Sequence, residues 1–217
     1  MENKVKETKI QDVNMIKSPD EKSPFHIEGH IKIFDPESGK VYIDKRNAIH
    51  YENMSIALAE SLANAGQGYI YQMVFGNGGT NVDPTGIITY LTPNSVGTNS
   101  SLYNETYSKV VDDRSVNNTD PTRNKIETRH VTGLTYTDIV VSCLLDYGEP
   151  NGQEAFDNVA DINSEYVFDE LGLRGYSATG IGKLLTHVIF HPVQKSLNRL
   201  IQIDYTVRIQ SLSGFNE

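Results

Sequence analysis

Ile201-Gln202-Ile203-Asp204-Tyr205-Thr206-Val207-Arg208-Ile209-Gln210 alternates apolar and polar residues without a break. Side chains of a strand point to opposite faces in turn, so Ile201, Ile203, Tyr205, Val207 and Ile209 share one face. An apolar face of this length needs a second layer to cover it. The stretch therefore predicts a strand within a packed sheet, and the rest of the chain supplies partners. Leu184 to Phe190 reads as a strand, and residues 126–147 hold one or two more, the second with Ile139, Val141, Cys143 and Leu145 on one face. Residues 103–111 and the apolar run Tyr69–Phe75 add others. Near the N-terminus Phe25, Ile27, Ile31 and Ile33 alternate with His26, Glu28, His30 and Lys32. The turn-forming Asp35-Pro36-Glu37-Ser38-Gly39 and a return through Val41 and Ile43 then make a hairpin over 25–44.

Only one segment reads as helix. From about 48 to 64, Tyr51, Met54, Leu58 and Leu62 recur at helical spacing among alanines, and Gly66 and Gly68 stop the run. There is no βαβ alternation and no repeat at 20–50 residues. The expected fold is mainly β: an antiparallel β-sandwich, jelly-roll-like, with one amphipathic helix and long loops. Residues 25–217 form a single β-rich domain with its hairpin at 25–44, its helix at about 48–64 and the sandwich at 69–212. Polar loops fall at about 80–101, 117–124 and 148–164. Residues 1–24 form an extended, polar N-terminal arm with too few large apolar residues to fold alone, to be held on its own domain or along a neighbouring subunit.

Composition excludes several classes. The 217 residues carry 19 basic and 28 acidic side chains, a net charge of −9, which disfavours bare nucleic acid and anionic membranes as partners. One cysteine excludes an internal disulfide and any multi-thiolate zinc site. No apolar run approaches the roughly 20 residues of a membrane helix. The polar N-terminus does not read as a secretory signal.

Four groups of residues have types suited to chemistry. His26, Glu28 and His30 sit at i, i+2, i+4 on one strand face, where two imidazoles and a carboxylate suit zinc or iron, and His187 and His191 are placed to face them from another strand. Strand alternation alone also generates such a triple. Cys143 lies in an apolar row with no base beside it, which reads as a core thiol rather than a nucleophile. Gly76-Asn77-Gly78-Gly79 follows a strand, as phosphate loops do, but no helix and no Lys-Ser/Thr pair follows it. Asn77, Thr80 and Asp83 offer oxygens for calcium but lack the alternating acidic pattern of a dedicated loop. No cofactor is expected. Twelve tyrosines and no tryptophan favour protein contacts over a sugar platform.

The order of several short segments is informative. Helix and apolar strand lead into Phe75-Gly76-Asn77-Gly78-Gly79-Thr80. Ser101-Leu102-Tyr103-Asn104-Glu105-Thr106-Tyr107 comes next, and far downstream Phe168-Asp169-Glu170-Leu171-Gly172-Leu173. Leu184-Leu185, His191-Pro192-Val193-Gln194-Lys195 and a β-rich tail follow. From residue 48 to about 210 this resembles the N-terminal virion-attachment domain of tailed-bacteriophage tail-collar fibre proteins. The resemblance implies no catalysis. It singles out Gly76, Asn77, Gly78, Gly79, Asn104, Glu105, Glu170 and Gly172 as interaction or structural motif residues. The glycines are expected to allow a turn closed to larger residues, with Gly172 at a bulge or a positive-φ position, and Asn104 and Glu105 to bond loop backbone or a neighbour.

The family domain usually precedes a fibre shaft, whereas here Glu217 follows the β-rich tail closely. The resemblance therefore implies a neck or collar protein, or a tail connector, which mediates subunit assembly and fibre attachment. Its partners would be copies of itself in a ring or trimer and other virion proteins, and its location the virion, assembled in the host cytoplasm. The alternatives are a carbohydrate- or cell-surface-binding module of a tail fibre or capsid decoration, and a metal-dependent enzyme built on the histidines.

Overall fold

The computed structural model describes residues 25–150, 165–196 and 198–211; the arm of residues 1–24 and most of the loop at 148–164 lie outside them. Among the described residues the chain begins with β1 (Phe25–Phe34), β2 (Val41–Ile49) and α1 (Tyr51–Leu62). It continues through β3 (Ile70–Gly76), β4 (Thr80–Val82), β5 (Ile88–Tyr90), β6 (Glu105–Val110), β7 (Lys125–His130) and β8 (Tyr136–Leu145). It closes with β9 (Glu165–Gly175), β10 (Thr186–Ser196) and β11 (Ile201–Ser211). Nine strands make one antiparallel sheet in the order β6-β3-β9-β10-β2-β1-β11-β8-β7, and β4 and β5 pair separately. No helix among these residues is long and apolar enough to cross a membrane.

The sheet curls at one seam. β10 and β2 are joined only through Thr186 opposite Ile49 and His187 opposite Ala48. Either side of this seam, the inner faces of the two halves close on one core. β3, β9 and β10 contribute Met73, Phe75, Phe168, Leu171, Val188 and Phe190; β1, β8 and β11 contribute Ile31, Ile33, Val141, Cys143, Ile203 and Tyr205. Phe168 stands edge-on to both Phe75 and Phe190, at 5.5 and 5.6 Å between centroids, the favoured arrangement for aromatic pairs. The molecule is thus mainly β and sandwich-like, its two layers being halves of one curled sheet.

β11 has the central place its alternation predicts. It lies between β1 and β8, in unbroken register from Ile201 opposite Leu145 to Gln210 opposite Tyr136. Ile201, Ile203, Tyr205 and Val207 are buried, and the polar residues between them are half-buried.

Several boundaries differ from the sequence reading. Ala48 and Ile49, expected at the start of the helix, end β2, because their backbone is taken up by Thr186 and His187. The hairpin therefore runs to Ile49, and its strands lie inside the main sheet. The helix starts at Tyr51, where His50 caps it: its Nδ1 accepts the Asn53 N–H at 3.2 Å, leaving Nε2–H to donate to the Gly97 carbonyl at 3.0 Å. The buried face of α1 is also shifted from the expected stripe. Met54 and Ala57 are buried and Leu58 is half-buried, but Tyr51 and Leu62 are exposed. Asn53 takes an interior place because its amide donates to the Leu184 carbonyl at 2.9 Å. The loop after Gly79 contains the β4–β5 hairpin, and residues 126–147 divide into the paired strands β7 and β8.

Candidate functional site

Pairing of β3 with β9 sets Gly76 opposite Glu170, and pairing of β3 with β6 sets Gly76 opposite Glu105. Segments separated by 29 and 94 positions in the chain therefore meet at one strand end. Two consecutive acids on β9 organise them. Glu170 is fully buried, and each of its oxygens accepts two hydrogen bonds. Oε1 accepts the backbone N–H of Asn104 at 2.8 Å and of Gly78 at 3.1 Å; Oε2 accepts the N–H of Tyr103 at 3.0 Å and His187 Nε2–H at 2.9 Å. His187, also fully buried, receives the Asn94 N–H on Nδ1 at 2.8 Å, which fixes the proton on Nε2. Its ring lies 5.8 Å from that of Tyr103. Asp169, 3% exposed, accepts the N–H of Gly79 at 2.9 Å and of Thr80 at 2.8 Å, along with the Thr80 hydroxyl.

The two acids are held differently. Burial pushes the Glu170 carboxyl up, but the hydrogen bonds from His187, Asn104, Tyr103 and Gly78 together outweigh it and leave the group below its ordinary range. For Asp169 burial wins: the bonds from Thr80 and Gly79 do not fully offset it, the Glu170 charge adds to it, and the group is raised. Glu170 is accordingly the anionic centre of the cluster.

A ring of further bonds closes the site. Asn104 Nδ2 donates to Asn77 Oδ1 at 2.6 Å, and Asn77 N–H to the Asn104 carbonyl at 3.1 Å. Tyr103 Oη donates to the Thr92 carbonyl at 2.7 Å. Arg174, on β9, grips Glu105 through both terminal nitrogens, with Nη1 to Oε1 at 2.9 Å, a bidentate geometry suited to a largely buried ion pair.

The motif glycines are required by close approach rather than by φ, since none of Gly76, Gly78, Gly79 and Gly172 has a positive φ. A Cβ on Gly76 would stand 2.5 Å from Glu170 Oε1, and one on Gly78 would stand 2.7 Å from the Asn104 nitrogen. At Gly172 the bulge or positive-φ reading is corrected. The backbone is ordinary strand, and a Cβ would meet Leu184 Cδ1 at 2.8 Å and the Thr186 carbonyl closer still. Gly172→Ala should lower stability by about 1–3 kcal/mol in denaturant unfolding, because a β10 carbonyl cannot yield as a side chain can. An unchanged midpoint would contradict the tight β9–β10 contact.

All eight motif residues named from sequence thus lie in or beside one cluster. Two members were missed: Asp169, and His187 in its actual role. The available signal was two adjacent acids inside the apolar stretch Phe168–Leu171, since buried acids persist only when fully partnered.

The other candidates are not brought together. His30 pairs with Asp44 at 2.8 Å and Glu28 faces Arg46 at 3.8 Å, while His26 is exposed. His187 bonds Glu170, and His191 lies 3.3 Å from Tyr90 Oη, so neither faces the β1 triple. Among the described residues no group of three or more His, Cys, Asp or Glu could hold a metal ion. The calcium trio is dispersed: Asn77 bonds Asn104, Thr80 bonds Asp169, and Asp83 caps its own turn through Thr85 and Ile87. Cys143 is fully buried, and burial pushes its thiol up to about 12, which makes it inert.

No family model matches the chain, and no curated protein or solved structure matches it either.

Proposed function

We propose that the chain is a non-enzymatic structural protein of a tailed-phage virion, placed at the neck, collar or tail, where it assembles with copies of itself and serves fibre attachment. The observation that supports this is the convergence at Glu170. Three of the segments whose order resembles the tail-collar attachment domain meet there, at Gly76–Thr80, Tyr103–Glu105 and Asp169–Gly172.

The chemistry of the cluster fits a framework. Glu170 and Asp169 are saturated by backbone N–H groups, a threonine hydroxyl and a neutral imidazole. A carboxylate engaged in this way fixes loops relative to a sheet, whereas an acid or base in catalysis must be able to exchange its proton with a substrate. Hydrogen bonds to Glu170, Asp169 and His187 tie Gly78–Thr80, Asn94 and Tyr103–Asn104 to one end of the sandwich, which suits a surface that must meet neighbours in one geometry.

The test is quantitative mass spectrometry of gradient-purified particles of the phage that encodes the chain. Its peptides should follow the particles at a fixed ratio to the capsid subunit. Peptides confined to the soluble lysate would overturn the reading.

A further inference from the structure

The loop between β5 and β6 has an unusual anchorage. None of residues 93–101 is buried, and Val96 is 82% exposed. The loop closes on itself: Asn94 Nδ2 donates to the Ser101 carbonyl at 2.8 Å and Ser100 N–H to the Gly97 carbonyl at 2.9 Å. Apart from the Ser101 hydroxyl on the adjoining Leu102 carbonyl, two hydrogen bonds tie 93–101 to the rest of the molecule among the described residues. Each ends on a fully buried histidine. Asn94 N–H donates to His187 Nδ1 at 2.8 Å, and His50 Nε2–H donates to the Gly97 carbonyl at 3.0 Å. With so little burial, the hold on the loop depends on these two side chains.

Both imidazoles are neutral and carry their proton on Nε2. That of His187 goes to Glu170 Oε2 at 2.9 Å, and His50 Nδ1 accepts the Asn53 N–H at 3.2 Å. In each ring Nδ1 therefore faces a backbone N–H, and a second proton there would set two donors against each other. For His187 the bond to Glu170 survives that proton and the bond to Asn94 does not. For His50 the proton removes the cap of α1 and places a cation at the positive end of the helix. The surrounding charges leave this logic intact. Glu170 of β9 attracts an imidazolium but is already bonded through Nε2. Asp169 beside it is engaged by Gly79 and Thr80, and Arg174 of the same strand by Glu105. Lys45 of β2 is held on the Ile189 carbonyl of β10, and Glu52 lies in the first turn of α1. Residues 91–104 themselves carry no charged side chain.

We infer that residues 93–101 form an acid-released loop, latched at neutral pH by His187 and His50 and freed when these imidazoles take up protons. Thr98, Asn99, Ser100 and Ser101 make one wall of a cavity of about 590 Å³ whose other walls come from α1 and residues 174–183, so release of the loop opens that cavity.

The test is hydrogen exchange of the full chain, followed by mass spectrometry in peptides covering 93–101 and β11 and corrected for the intrinsic pH dependence of exchange. An imidazole freed from the latch takes its proton near pH 6.5, so one linked proton favours opening about tenfold more at about pH 5.5 than at about pH 7.5. Protection of 93–101 should fall by about that factor or more while β11 keeps its protection. The step should shrink in His187→Gln, which cannot titrate, and vanish when His50→Asn is added, asparagine being a good helix cap. Should these variants not fold, the imidazole nitrogen resonances of the wild type decide: His187 must gain its Nδ1 proton over the range in which the loop loses protection. Equal protection of the loop at both pH values overturns the latch. So do a fall shared equally by β11, an undiminished step in His187→Gln, and a protonated His187 beneath a loop that stays protected.

Discussion

Glu170→Gln should lower the unfolding free energy by about 3–5 kcal/mol, the scale at which buried charged networks fail when one member is removed. The substitution keeps the size of the side chain. It turns one acceptor oxygen into an amide donor that must face at least one of four donors: the N–H groups of Gly78, Tyr103 and Asn104, and His187 Nε2–H. The loss is a large part of the roughly 5–15 kcal/mol that a domain has. Denaturant unfolding reads the total, and hydrogen exchange at residues 78, 103 and 104 should locate it.

The pH dependence gives the claim a sign. The folded Glu170 carboxyl lies below its ordinary value of 4.5, so its stabilisation is complete above that value and is lost as pH falls through the folded value. The gap between wild type and Glu170→Gln should therefore narrow on acidification. Asp169 acts in the opposite sense. Its folded value is raised above the ordinary 3.8, so its ionised form opposes folding at neutral pH, and that effect is relieved as falling pH protonates it. A gap that widens on acidification would contradict the assignment of the charge to Glu170.

Ile203→Ala should cost roughly 2–5 kcal/mol, from lost burial and the cavity left behind. Ile203 is fully buried near the start of β11, paired across to Cys143 on one side and Ile33 on the other. Gln202→Ala, on the half-buried opposite face, should change stability by less than about 0.5 kcal/mol. A variant that stays stable yet fails to assemble would place that face at an interface. An Ile203→Ala protein as stable as the wild type would remove β11 from the core.

What was legible in the sequence follows from how each element is covered. β11 and β1 bury one face and wet the other, so their period of two shows directly. β9 does not show it. Phe168 and Leu171 share the core, and Asp169 and Glu170 between them are both buried, which breaks the alternation. The start of α1 was misplaced because Ala48 favours helix, whereas the seam with β10 claims Ala48 and Ile49. Tertiary pairing overrides local propensity there.

The site divides in the same way. Its glycines and acids were visible one motif at a time, but their meeting depends on the pairing of β3 with β9 and β6, which no local pattern encodes. By residue type His187 stands only as a candidate companion to the β1 triple, and its place beside Glu170 is not visible locally. Its real partner stands on the adjoining strand, where pairing places Glu170 opposite Ile189, two residues along β10.

Sedimentation equilibrium of the purified full chain is the most direct test of an assembling role. A self-assembling subunit should give a closed oligomer whose mass is a fixed multiple of 24.2 kDa across concentrations. A single species of 24.2 kDa at every concentration would contradict it.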